Sequence, residues 1–349
     1  MVWVGVDAHK KVVVAVAVDE TGQVSSRFDG GNTPRDWQRF SDWLGELDEV
    51  VSVGIEGAYS YGRGLAQWLV GSGLTVYDIN PRWTAAYRRT ARRQHKTDPL
   101  DARAVALVVL RDRRDLPQVL ADDISSVLQL LVAERDSALA ESVRLRNQLH
   151  VHFFQLSLEA GTIHSAVGLR KLLAQLPEPR SALDDRRIEV IKRLSERCFL
   201  AFAEVARYAA EIEALAKEHF APLTRIHGVG LLTAGVIASQ LGPGSRFLSE
   251  AQVAAYAGVA PLEASSAGHT RHRLNRSGNR KLNAAIYFIA LSQLRSPSSS
   301  GRAYIDKRRA QGKTLREALR ALKRFIARAI FQAWRECLSP QSAPVQLVS

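Results

Sequence analysis

Residues 2–19 read VWVGVDAHKKVVVAVAVD, two β-branched runs on either side of the turn-prone Ala8-His9-Lys10. A third run, about Val24 to Asp29, follows Glu20-Thr21-Gly22, so the chain is expected to open as an antiparallel meander. Helix and strand then alternate: a helix over about Pro34 to Leu47, a strand from Val51 to Glu56, a helix from about Gly62 to Val70 and a strand from Leu74 to Ile79. Helical stretches follow after Pro81 and over Asp98 to Leu110. A meander followed by alternating helix and strand predicts an α/β domain, a mixed sheet covered by helices, over residues 1–118.

Beyond it the pattern turns all-α. Long helices are expected over about Ile124 to Leu158 and Arg186 to Phe220, interrupted by a bridge containing Pro177 and Pro179. In the second, Ile188, Ile191, Cys198, Phe202, Val205, Ala209, Ile212 and Ala216 fall close to a heptad seam. Residues 119–221 therefore read as an antiparallel helical hairpin, serving either as an oligomerisation surface or as ordinary packing within one chain. Residues 222–338 form the third region. It begins near Ile226-His227-Gly228-Val229-Gly230, continues as an apolar helix to Leu241 and breaks at Gly242-Pro243-Gly244. Helices are expected over Ser249 to Tyr256 and Arg280 to Leu294, with one continuous basic helix from about Tyr304 to Trp334. The tail, 339–349, reads as disordered.

The 349 residues carry 48 Lys+Arg against 35 Asp+Glu, a formal net charge of +13, which favours a polyanionic partner over a small neutral one. Neither a membrane-spanning run nor a leader segment is apparent, so a reducing cytoplasm is the expected compartment. Cys198 and Cys337 stand apart, without zinc-ligand spacing or a disulfide framework.

Asp7 ends the first expected strand and Glu56 the fourth, while Asp98 and Asp101 sit three apart on one helix face. If the first and fourth strands are neighbours, four carboxylates converge. Two carboxylates about 4 Å apart repel by roughly 4 kcal/mol at an effective dielectric near 20, so such a cluster calls for cations or protons. Hard divalent ions such as Mg²⁺ prefer these oxygens, and a pair of them suits phosphodiester chemistry. Taken singly, any of these acids could be a helix cap, and Asp98-Pro99 has that form. Arg82, Arg88, Arg89, Arg92, Arg93, His95 and Lys96 precede Asp98, interleaved with Trp83 and Tyr87, a composition suited to phosphate contact and base stacking.

Toward the C-terminus, Gly228 and Gly230 either let backbone N–H groups approach a phosphate, as in a helix-hairpin-helix, or simply make a tight turn. Ser265 and Ser266 lie in a loop flanked by Arg271, His272, Arg273 and Arg276, leading to Arg280 and Lys281. Turn or cap duty is the plain reading of either serine; attack on a phosphodiester is the other.

Val4-Gly5-Val6-Asp7-Ala8-His9-Lys10, Glu56-Gly57, Lys96-Thr97-Asp98-Pro99-Leu100-Asp101-Ala102, the paired glycines and the segment from Pro261 to Leu282 together resemble the DEDD transposases of the bacterial insertion-sequence 110 family. The resemblance runs from residue 1 to about 295. It implies a RuvC-like, ribonuclease H-like domain in which Asp7, Glu56, Asp98 and Asp101 are catalytic and bind Mg²⁺, two ions in all. It also implies a coiled-coil insertion, a C-terminal transposase domain with a serine nucleophile, donor and target DNA, and a structured bridge RNA as guide. A homo-oligomer, dimer or tetramer, with composite sites between subunits is implied as well. The family's loop commonly has serine directly before glycine, whereas here it reads Ser266-Ala267-Gly268; counting from Pro261 points to Ser266, with Ser265 second. His9 and Lys10 match the pattern but are given no role beyond phosphate contact.

Expected nucleic-acid contacts are Arg88, Arg92, Arg93, Lys96, Gly228, Gly230, Arg271, Arg273, Arg276, Arg280 and Lys281, in a protein of the bacterial cytoplasm and nucleoid. A hydrolytic junction resolvase using metal-activated water is the first rival. A sugar kinase or actin-like ATPase shares the meander, yet Ala8-His9-Lys10-Lys11 lacks the glycine-rich phosphate turn such proteins need. A purely architectural nucleic-acid binder is the third.

Overall fold

A computed structural model describes residues 1–90, 98–159, 161–244, 246–260, 262–263, 272–273 and 278–338; at 86–90, 262–263 and 272–273 it describes the backbone alone. The chain divides into two compact units, Met1–Asp122 and Asp123–Ser349.

In the first unit the β-branched opening forms β1 (Val2–Ala8), β2 (Val12–Val18) and β3 (Val24–Gly31), followed by α1 (Pro34–Gly45), β4 (Val50–Glu56), α2 (Arg63–Gly71), β5 (Val76–Ile79), α3 (Pro81–Thr90) and α4 (Asp98–Asp112). The sheet order is β3-β2-β1-β4-β5. β1, β2 and β3 pair antiparallel, whereas β4 lies parallel to both β1 and β5. Side chains alternate faces along a strand, so β1 splits into two sets. Val4, Val6 and Ala8 join Val13, Ala15, Ala17, Val53 and Ile55 in a core with Phe40 and Leu44 of α1 and Leu65 and Leu69 of α2. Trp3 joins Val14, Val16 and Val18 in a second core with Ala102, Val105, Ala106 and Val109 of α4.

Gly5 and Gly54 are register partners on the α4 side. A Cβ built on Gly5 would lie 2.1 Å from the Ala106 backbone nitrogen and 2.2 Å from the Ala102 carbonyl oxygen; one on Gly54 would lie 2.3 Å from Val109 Cγ2. Helix α4 thus lies with its backbone on the strand, in a groove that only two glycines leave open. This close approach aims the first turn of α4 at the C-terminal ends of β1 and β4.

Among the described residues the second unit is helical apart from one short ribbon: α5 (Ile124–Gln155), α6 (Ala166–Leu173), α7 (Ala182–His219), α8 (Leu231–Leu241), α9 (Glu250–Tyr256), β6 (Leu262–Glu263), β7 (His272–Arg273), α10 (Arg280–Arg295), α11 (Ser300–Ala310) and α12 (Leu315–Cys337). The antiparallel sense of α5 and α7 shows in their contacts. Gln155 near the end of α5 accepts from Arg187 near the start of α7, and Leu128 and Val132 share a core with Ile212 and Ala216.

Three expectations are corrected. The seam of α7 is buried at Ile188, Ile191, Cys198, Ile212 and Ala216, but Phe202, Val205 and Ala209 are only half-buried, the Phe202 ring lying beneath the Arg146 guanidinium of α5. The linker between the long helices contains α6, capped by Ser165 and anchored by buried Leu169. The basic helix expected from Tyr304 to Trp334 is two helices. Gly312 at φ +81° ends the first, and Thr314 with Glu317 forms a capping box on the second. One apolar core of this unit draws on Leu128, Ile212, Leu223, Ala234, Ile286 and Trp334. No helix of the described residues is long and apolar enough to cross a membrane.

Gly5→Ala is expected to destabilise the first unit by about 3 kcal/mol, since backbone atoms of α4 have nowhere to retreat. Gly45→Ala, whose methyl would meet nothing within 4 Å, should instead be neutral or stabilising by about 0.5 kcal/mol. Urea unfolding followed by tryptophan fluorescence checks both: Trp3, Trp37, Trp43, Trp68 and Trp83 lie in this unit and only Trp334 in the other.

Candidate active site

Asp7 and Glu56 are themselves register partners at the ends of β1 and β4. They lie two residues beyond Gly5 and Gly54, so both project on the face that carries α4. Asp7 is buried at 8% exposure and Asp101 at 5%, unusual for carboxylates and the reason this end of the sheet is chemically distinct. Asp98 opens α4 and is exposed; Asp101, one turn on, precedes the Ala102 carbonyl that rests on Gly5. Glu56 is half-buried and accepts a hydrogen bond from the hydroxyl of fully buried Thr84 on α3, at 3.2 Å.

His9, in the turn after β1, points its imidazole back into this group. Its Nε2 is 3.4 Å from Asp7 Oδ2 and 3.8 Å from Asp98 Oδ1. One donor atom each from Asp7, His9 and Asp98 lie within 4.8 Å of one another, close enough to share a metal ion. At that spacing two carboxylates repel by roughly 3 kcal/mol at an effective dielectric near 20, a cost that a bound cation turns into attraction. His9, expected to do no more than contact phosphate, stands beside Asp7 and Asp98, whereas Thr84 carried no signal in the sequence and was missed.

Asp78 is a further acid at this end of the sheet, yet it pairs in register with Ile55 and therefore faces the opposite side. Its carboxylate accepts from the Ala58 N–H at 3.2 Å, fastening the loop that follows Glu56. Burial raises its pKa above the usual value of 3.8.

Of the expected nucleic-acid residues, Arg92, Arg93, Lys96, Arg271 and Arg276 lie outside the described residues, as do the candidate nucleophiles Ser265 and Ser266. Only the backbone is described for Arg88, on α3, and Arg273, on β7. Leu262 and Glu263 pair antiparallel with Arg273 and His272, forming a two-stranded ribbon. A Cβ on Gly278 would lie 2.4 Å from Gly258 Cα, and the Asn279 side chain donates to Gln240 Oε1 and the Tyr256 hydroxyl at 2.9 and 2.8 Å. Gly228 adopts φ +92° against Ser292 of α10, while Gly230 caps α8 with open space around its Cα. Arg280 opens α10 and is exposed, whereas the Lys281 ammonium is 2.8 Å from Asp136 of α5.

Two family models match this chain: a DEDD transposase model of the IS110 type over residues 4–157, and one described as transposase of the IS116/IS110/IS902 family over residues 221–306. The chain belongs to the IS110 family of DEDD transposases. As a member it is an enzyme, a DNA transposase. Relatives include an insertion element IS110 uncharacterized 43.6 kDa protein of Streptomyces coelicolor, 29% identical over 69% of this chain and 71% of that protein. A transposase for insertion sequence element IS1328 of Yersinia enterocolitica is 24% identical over 67% of each chain. An insertion element IS900 uncharacterized 42 kDa protein of Mycobacterium paratuberculosis is 25% identical over 93% of each. The first model spans the five-stranded sheet of this IS110-family transposase from Val4 onward, with Asp7, Glu56, Asp98 and Asp101; the second spans Ser265, Ser266 and the β6–β7 ribbon.

Asp78→Asn keeps an acceptor for Ala58 while removing a buried charge. A carboxyl whose folded pKa is raised favours the folded state when protonated, and that stability is lost as pH climbs from the unfolded value of 3.8 through the raised folded one. The variant should therefore melt higher than wild type at pH about 7, the gap closing toward pH about 4, as thermal melts across that range would show.

Proposed function

We propose that this transposase cuts DNA strands and rejoins them through a covalent phosphoserine, in a reaction that depends on divalent cations. The register pairing of Asp7 with Glu56 beneath the first turn of α4 supports this reading above all, because it puts carboxylates from two strands and one helix at one sheet end. The strand order, with antiparallel β1 to β3 and parallel β1, β4 and β5, accords with a RuvC-like, ribonuclease H-like unit.

In this reading Asp7, Glu56, Asp98 and Asp101 hold Mg²⁺, two ions in all. The donor set fits: carboxylate oxygens suit a hard cation, and the His9 nitrogen adds a donor that Mn²⁺ accepts more readily than Mg²⁺. When bound, such ions polarise the phosphodiester and stabilise the leaving oxygen. The protein's own part is positional. Asp7 and Asp101, held by packing, cannot swing away from the site, and exposed Asp98 and His9 face the incoming backbone. Ser266 is the nucleophile, with Ser265 the second candidate. The serine oxygen bonds to phosphorus as the P–O bond to one DNA strand breaks, its proton passing to solvent and the departing strand oxygen taking one up to leave as a hydroxyl. Attack by a strand hydroxyl reverses the exchange to rejoin DNA and free the serine. Arg271, Arg273 and Arg276 offset the charge that builds on the phosphate.

Arg88, Arg92, Arg93, Lys96, Gly228, Gly230, Arg280 and Lys281, with the basic α11 and α12, grip donor and target DNA, and a structured bridge RNA supplies sequence choice. The working division is a metal-binding domain at 1–118, a helical region at 119–221, a transposase domain at 222–338 and a tail at 339–349. The acting form is a homo-oligomer, dimer or tetramer, in the bacterial cytoplasm and at the nucleoid.

Asp7→Ala is expected to lower strand transfer by roughly 10³-fold while DNA affinity persists. Unimpaired transfer in that variant would refute the proposal. A protein–DNA adduct that survives denaturant should vanish in Ser266→Ala and persist in Ser265→Ala; the reverse pattern moves the nucleophile by one residue. DNA affinity should fall steeply with salt, by a log–log slope of about 0.9 for each phosphate neutralised. Sequencing of RNA that co-purifies with the protein should recover one discrete structured species, and its absence removes the guide.

A further inference from the structure

Between β3 and α1 a single carboxamide touches both loops of the carboxylate site. Asn32 Nδ2 donates to the His9 carbonyl and to the Tyr61 carbonyl, each at 2.9 Å. Its Oδ1 accepts from Trp37 Nε1 at 2.8 Å, and its backbone N–H donates to the Lys11 carbonyl at 3.1 Å. The orientation of this amide is dictated by its partners. Both carbonyls can only accept and an indole N–H can only donate, so a flipped Asn32 would break all three side-chain bonds.

Trp37 is in turn fixed by packing: its ring occupies space that Gly64 leaves open, where a Cβ would lie 2.2 Å from Cη2. His9 is two residues past Asp7, and Tyr61 lies in the loop that begins with Glu56-Gly57. The ladder pairing of β1 with β4 ends at Asp7 and Glu56, so beyond those residues the sheet no longer holds the two chains together. Asn32 bridges them just past that point.

We propose that Asn32 is a positioning residue of the carboxylate site, clamping the turn after Asp7 to the loop after Glu56 so that both acids and the His9 imidazole keep their mutual spacing. Its effect on metal binding rests on the proposed reading of this site as a metal centre. Its effect on the two loops does not. Asn32 itself contacts neither substrate nor ion; it acts through His9 and Tyr61.

The test uses the full chain and Mn²⁺ as the probe. Asn32→Asp keeps the acceptor for Trp37 and removes both N–H donors; Trp37→Phe keeps the packing and removes the donor that orients the amide. Trp43→Phe is the matched control, since it forfeits one comparable indole hydrogen bond, to Ser26 Oγ at 3.0 Å, in the same unit but away from the clamp. Calorimetric Mn²⁺ affinity should fall by about tenfold or more in Asn32→Asp, and by less in Trp37→Phe. Trp43→Phe should bind like wild type at a similar melting temperature. Hydrogen exchange followed by mass spectrometry should show the peptides spanning 8–12 and 57–62 exchanging roughly tenfold faster in Asn32→Asp but not in Trp43→Phe. Unchanged exchange in those peptides would overturn the proposal, as would Mn²⁺ affinity that falls equally in all three variants. If wild type binds no Mn²⁺, the metal reading fails by itself, and the exchange data alone decide whether the clamp exists.

Discussion

The close approach of one helix to one sheet, backbone against backbone at Gly5, is what the N-terminal unit depends on. Helices usually ride about 10 Å above a sheet on a layer of side chains. Here Gly5 and Gly54 remove that layer at one paired position, and Ala102 and Ala106 settle against the strand. The consequence is chemical as well as structural. Carboxylates on the first turn of α4 come down to the level of carboxylates on the strand ends, which longer residues at the glycine positions would prevent.

Bringing acids together is costly, and the surrounding loops show how the arrangement is held. Thr84 donates to Glu56 from a fully buried position, Asp78 accepts from Ala58, and Asn32 ties His9 to Tyr61. The first bond holds a site acid directly, and the other two fix the loops beside the acids. The C-terminal unit uses the same device just before α10, where the Asn279 side chain joins Gln240 to Tyr256 and Gly278 packs on Gly258. In both units, then, an asparagine side chain joins segments that are distant in the sequence. An amide suits that position because it donates and accepts at once without bringing a charge near the acids or the phosphate.

The helical unit depends on a different balance. Its two long helices are buried at both ends and open in the middle, where Arg135 and Asp136 of α5 replace apolar residues. At one end they enter the core of α8 to α12; at the other they form a separate small core with α6. Asp136 also receives Lys281 from the start of α10, which links the middle of the hairpin to the helix that follows the serine loop.

Local chemistry was enough to place most of the elements. Alternating β-branched runs, Pro34 and the Gly242-Pro243-Gly244 break marked strands and helices to within a few residues, and strand-end acids singled out Asp7 and Glu56. Gly312 and the Thr314 capping box are equally local signals, yet the basic periodicity on either side of them reads as one helix. What no linear reading could supply was contact between residues far apart in the chain. That Gly5 faces Ala106, that the His9 imidazole turns back to Asp98, and that Asn32 reaches both His9 and Tyr61 follow from strand register and helix docking. Those are set by packing energies summed over the whole unit, whereas hydrophobic period and turn residues act within a few positions of themselves. The sequence by itself determined which segments become strands and helices; tertiary packing alone decided which of their polar side chains meet.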